Sequence, residues 1–124
     1  MIMKVIETSK APAAIGPYSQ GFTVGSMIVV SGQTPVVPET KEIPEGIQAQ
    51  AEQSCKNVGE ILKAAGSDFS KVFKTTCFLA DMKDFQGFNE VYARYFTSKP
   101  ARSCVAVKAL PLGVLCEIEA YAEV

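Results

Sequence analysis

The spacing of apolar residues changes several times along this chain, and each change marks an element. Ile2 to Ile6 is a short apolar stretch suited to an edge strand. Phe22–Val24 and Met27–Val30, the latter running into Ser31-Gly32-Gln33, read as strands joined by a Gly25-Ser26 turn, a hairpin. From Ile47 the period lengthens: Ile47, Ala51, Cys55, Val58, Leu62 and Ala65 form one apolar face, which predicts a helix with Gly66 in the C′ position. Residues 72–80 predict a strand with Val72, Thr76, Phe78 and Ala80 on one side and Phe73, Thr75, Cys77 and Leu79 on the other, buried on both faces. Phe85, Phe88, Val91, Tyr92, Tyr95 and Phe96 return to helical spacing, with Asp81 or Asp84 as the cap and Pro100 as the stop. Residues 103–110 and 114–123 predict two final strands, paired as a hairpin around Leu110-Pro111-Leu112-Gly113.

The order is β-β-α-β-α-β-β, with one extra strand at the N-terminus. It predicts a single domain over residues 1–124 of the α/β (α+β) class. The architecture is a two-layer sandwich: a mixed sheet of about five to six strands with two helices on one face. The last strand shows both faces. Cys116, Ile118, Ala120 and Ala122 suit the helix side. Leu115, Glu117, Glu119 and Tyr121 suit a face that meets a partner and lines a pocket.

Composition adds two points. Hydrophobic residues make up 48% of the 124, and mean hydropathy is +0.15. This fits either a well-filled core or apolar surface covered by another subunit. Net charge is -1, from 12 basic and 13 acidic residues with no basic cluster, so nothing points to nucleic acid. No stretch has the length to span a bilayer and no secretory leader stands out, which gives a cytoplasmic expectation without membrane attachment. Cys55, Cys77, Cys104 and Cys116 show no CxxC spacing and the chain has no histidine, so they read as reduced, mostly buried thiols and not as a metal site.

The chemistry concentrates in Lys99–Lys108, K-P-A-R-S-C-V-A-V-K. Arg102, at a strand start just after a proline, is poor core material. Its fork of donors suits a carboxylate held by two parallel bonds, or else a salt bridge. Glu117 and Glu119 share one strand face, and either can accept a proton from an attacking water. Cys104 shares parity with Arg102. It is either a nucleophile whose pKa the arginine lowers or a pocket wall exposed to oxidants, and no histidine is present to deprotonate it. Tyr18 follows the Gly16-Pro17 bend, which presents its phenol. Ser31-Gly32 ends the strongest early strand, where glycine admits close approach of a ligand to the Gly32 N–H. Asn89 lies beside the apolar stripe of the second helix, within reach of a ligand or solvated.

Ala13-Ala14-Ile15-Gly16-Pro17-Tyr18-Ser19-Gln20, Val30-Ser31-Gly32-Gln33, Pro100-Ala101-Arg102-Ser103-Cys104-Val105 and Glu117-Ile118-Glu119-Ala120 together resemble the signatures of the RidA (YjgF) family, in order and spacing from about residue 5 to the end. The resemblance implies a chorismate-mutase-like homotrimer around a central β-barrel, with a cleft at each subunit interface. It implies a reactive-intermediate deaminase: 2-iminobutanoate and 2-iminopropanoate, formed from the enamines that pyridoxal-phosphate dehydratases release, are hydrolysed to 2-keto acids and ammonia without metal or organic cofactor. It implies Arg102 as carboxylate clamp and Glu117, not Glu119, as the water-activating group, with Tyr18, Ser31, Gly32, Asn89 and Cys104 contacting substrate. The chain departs from the family at Tyr95–Lys99, which is shorter than usual and puts a lysine where phenylalanine is common; this lysine can add a second positive charge. Other readings of the same cleft are a non-catalytic 2-keto-acid sensor, an RNA-acting protein, which the charge and the missing histidine disfavour, and an oxidation-activated holdase.

Overall fold

The computed structural model describes residues 2–124. Six strands form one sheet: β1 (Met3–Ile6), β2 (Gly21–Val24), β3 (Met27–Gln33), β4 (Val72–Leu79), β5 (Ala101–Ala106) and β6 (Cys116–Glu123), in the spatial order β1-β2-β3-β6-β4-β5. Two helices, α1 (Ile47–Ala64) and α2 (Phe85–Tyr95), cover one face. The mixed, two-layer α+β architecture read from the sequence is the observed one. No helix among the described residues is long and apolar enough to cross a membrane.

The early hairpin forms as expected. Val24 pairs Met27 across Gly25, whose φ of 61° supplies the left-handed turn that matches strand twist. Helix α1 ends at Ala64 with Ala65 as its C-cap, followed by Gly66 at φ 80°. At the second helix the expected aspartate cap on the helix itself does not form. The Asp81 carboxylate accepts from Lys83 N at 2.8 Å and caps a short 3-10 turn, Met82–Asp84, whereas Asp84 at the start of α2 makes no side-chain cap.

Two strand expectations also fail. The last two strands do not pair with each other. β5 lies at the sheet edge, parallel to β4, while β6 inserts between β3 and β4 and runs antiparallel to both. The β4–α2–β5 segment is a helical crossover, the connection that parallel neighbours need. The chain from Val107 to Leu115 then returns β6 to the centre of the sheet, fastened by Val107 N to Leu79 O at 2.9 Å and Ala80 N to Leu115 O at 3.0 Å. The small buried side chains of β6, Cys116, Ala120 and Ala122, suit a central strand beneath α1. Strand β5 also begins at Ala101 and ends at Ala106, so Arg102 lies within it.

The second failure is in β4, which is buried on one face only. Val72, Thr75, Cys77 and Leu79 point to the helices, and an irregularity between Val72 and Lys74 shifts the alternation, leaving Phe73 exposed. Among the described residues, neither helix covers Val29, Ser31, Thr76, Phe78, Val105, Glu117, Glu119 or Tyr121 on the open face, which loops border only in part.

Three buried polar residues, two in α1 and one just before β2, which apolar spacing does not reveal, pin the loops. Asn57 donates to Thr34 O and Val36 O, and Gln50 donates to Pro44 O while accepting from Leu115 N. Gln20, just before β2, accepts from Thr8 N at 2.7 Å and donates to Thr8 O, Ala11 O and Pro12 O. Gln20→Leu is expected to lower unfolding free energy by about 3 kcal/mol, because it strands several inward-facing backbone groups. Urea denaturation measures this, and a change within 0.5 kcal/mol, about the noise of a neutral surface substitution, would refute it.

Candidate active site

Arg102 lies on the helix side of the sheet. Its register partner in β4 is Thr75, whose hydroxyl is 2.6 Å from the Tyr92 hydroxyl. That contact fixes the Tyr92 ring, over which the guanidinium carbon sits 4.7 Å from the centroid; Phe85 lies 5.6 Å away on another side. Nη1 donates to Asn89 Oδ1 at 2.7 Å. Two aromatic rings and a neutral amide thus orient the guanidinium without neutralising it. With Tyr92, Asn89, Thr97 and Pro100 it lines an open cavity of about 490 Å³.

Glu117 lies on the opposite face. On β6 it pairs with Phe78 of β4, its side chain lining a second cavity, of about 860 Å³, with Tyr18, Ser31, Gly32, Glu119 and Leu112. Strand β3 has a bulge between Val30 and Gln33, and Gly32 sits in it against the glutamate. A β-carbon at position 32 would fall 2.8 Å from the Glu117 carboxyl carbon, so only glycine leaves room for that carboxylate. Burial pushes the Glu117 pKa above its ordinary value, and the neighbouring Glu119 charge adds to the rise. Ser31 Oγ donates to Ser19 O at 2.6 Å, tying β3 to the loop that carries Tyr18. That loop turns at Gly16, φ 127°, with Tyr18 N donating to Gly16 O, and it leaves the tyrosine ring 56% exposed at the cavity.

The seven residues singled out in the sequence therefore form two groups within one chain. Arg102, Asn89 and Cys104 are on the helix side, and Tyr18, Ser31, Gly32 and Glu117 are around the open face. The sheet separates the groups.

Residues 8–124 match the family described as Endoribonuclease L-PSP, the RidA/YjgF family. The chain belongs to this family. A mouse relative named 2-iminobutanoate/2-iminopropanoate deaminase is 54% identical over 124 residues, covering 98% of this chain and 92% of that one. The human protein of the same name is 51% identical, covering 98% and 90%. Among solved structures, Escherichia coli TdcF with bound serine superposes with a TM-score of 0.94 at 49% identity, covering 98% of both chains.

Against this L-PSP background the cysteines behave as structural thiols. All four are free; Cys55, Cys77 and Cys116 are buried and Cys104 partly so. Cys104 faces the side of the sheet that Arg102 faces, but burial raises its pKa and outweighs the lowering by the arginine. Of the two readings of Cys104, the nucleophile with a lowered pKa is therefore disfavoured. Sequence spacing did not single out Tyr92 as the ring beneath Arg102, nor Phe78 and Leu112 as cavity lining. Tyr92 reads as part of an apolar stripe, and only the strand register brings Thr75 and Arg102 beneath it.

Proposed function

We propose that this chain is a 2-imino-acid deaminase that hydrolyses 2-iminobutanoate and 2-iminopropanoate to 2-keto acids and ammonia. The observation that carries the reading is a guanidinium oriented by Asn89 and Tyr92 yet left charged at a cavity, in a chain 51–54% identical to proteins named for that reaction. Arg102 binds the substrate carboxylate by two parallel bonds. Glu117 accepts a proton from water as it attacks the imine carbon. Glu117 then gives that proton to the nitrogen of the carbinolamine and takes the hydroxyl proton as the C–N bond breaks, leaving the ketone and ammonia; neither step calls for a metal or an organic cofactor. Tyr18 and the Gly32 amide hold the substrate on the Glu117 side, and Cys104 forms a wall near Arg102.

Because the sheet separates the two groups, a complete site takes Arg102 from one subunit and Glu117 from its neighbour. A homotrimer closed through the uncovered open faces, as a central barrel, supplies that arrangement and covers exposed residues such as Val105 and Phe73. The free thiols suit a reducing compartment such as the cytoplasm. RNA cleavage, which the family description names, would have to proceed in a chain with no histidine and a net charge of -1.

The test couples a threonine dehydratase to this protein and follows 2-oxobutanoate formation; a rate equal to buffer sinks the proposal. The acid limb of kcat/KM is expected above the ordinary glutamate range, since activity is lost as pH falls through the raised Glu117 pKa. Glu119→Gln removes a neighbouring negative charge, lowers that pKa and moves the limb to lower pH. A limb that stays in place would remove Glu117 from the role.

A further inference from the structure

Arg102 has a second cation beside it. Lys99 lines the same cavity, and among the described residues that lining carries two cations and no carboxylate. The backbone at Lys99 is unusual: φ is 51°, in the left-handed region, immediately before Pro100. Left-handed geometry disfavours residues with a β-carbon, and the following proline disfavours helical conformations. The turn is held nonetheless, by Lys99 N donating to Phe96 O at 3.2 Å and Ser98 Oγ donating to Val72 O at 2.6 Å. A lysine thus stands where glycine would sit without strain, and its exposed side chain borders the cavity of the clamp.

Lys99 and Arg102 are three residues apart, so their Cα atoms are separated by at most about 10 Å. Both side chains reach one cavity, so their heads can bracket the two carboxylates of a four- or five-carbon diacid. A monocarboxylic imine leaves the lysine unused. We infer that Lys99 is a specificity-determining residue that favours imines of amino-dicarboxylic acids, with Arg102 holding the carboxylate beside the imine and Lys99 the distal one. The inference rests on the deaminase reading of this site. The lysine is solvent-exposed, so its preference should be modest, about three- to fivefold, in line with partly screened ion pairs.

The experiment generates 2-iminosuccinate and 2-iminopropanoate with amino-acid oxidases and measures kcat/KM for each with wild type, Lys99→Ala, Lys99→Arg and Lys99→Glu. In parallel, calorimetry measures binding of 2-oxoglutarate and 2-oxobutanoate to the same proteins. Lys99→Ala is expected to lower the diacid-to-monoacid ratio about three- to fivefold, through KM, with Lys99→Arg retaining the ratio and Lys99→Glu lowering it further. A ratio unchanged in Lys99→Ala and Lys99→Glu overturns the inference and leaves the deaminase reading standing. If wild type hydrolyses neither imine, the deaminase reading fails. The binding ratio then decides alone: a fall in Lys99→Ala supports a second-carboxylate site, and no fall rejects it.

Discussion

Arg102→Lys is expected to lower kcat/KM for 2-iminobutanoate about a hundredfold while the protein stays folded. The guanidinium is a planar fork whose direction is set by the 2.7 Å bond to Asn89 and by the Tyr92 ring 4.7 Å from its carbon. A lysine ammonium at this position keeps the charge but loses the fork and its stacking, and a bidentate charge-assisted contact is worth about 2–3 kcal/mol. Arg102→Met, which keeps the apolar stem and removes the charge, should lose still more activity. Thermal melting and light scattering on both variants separate loss of chemistry from loss of fold. Less than a threefold drop in Arg102→Lys with an intact fold would mean that the substrate carboxylate is held elsewhere.

Mixing two inactive variants should produce an active protein. Arg102→Ala and Glu117→Ala each disable one half of the proposed site, on opposite faces of the sheet. Refolded together in equal amounts, they reassemble at random, and a site works when its arginine and its glutamate both come from intact partners. In a closed ring this holds for about one quarter of the sites, so about a quarter of wild-type activity returns. Each variant refolded alone should remain inactive. A mixture as inactive as its components would show that both residues act from a single subunit and would overturn the shared-site reading.

The legible part of this fold was that governed by local period and punctuation. The α1 stripe with Gly66 behind it, the Gly25-Ser26 turn and the parity of β6 all follow from neighbours within a few positions. Strand pairing was not legible. Leu110–Gly113 carries ordinary turn chemistry, yet it serves a long return to the sheet centre, and nothing local distinguishes that path from a hairpin. The β4 irregularity was hidden for a similar reason, since the Val72–Lys74 shift arises from pairing with β6. At the site, Arg102 and Glu117 stood out by residue type and by family resemblance. Their placement on opposite faces depends on strand register, which distant pairings set. Gln20, Gln50 and Asn57 were missed because a buried amide is recognised by the loop carbonyls it meets, and those are distant in sequence.

Strand β6 alternates between two duties that never share a residue. Cys116, Ile118, Ala120 and Ala122 are buried beneath the helices, while Glu117, Glu119 and Tyr121 face the other way. Change at the odd positions can therefore alter the open face without disturbing the buried layer, and drift at the even positions can be offset by α1, which packs on this strand and carries none of the residues around Arg102. A lineage carrying this strand can vary its open face and its core stability as nearly independent traits, a freedom built into the two-residue repeat of a single extended segment.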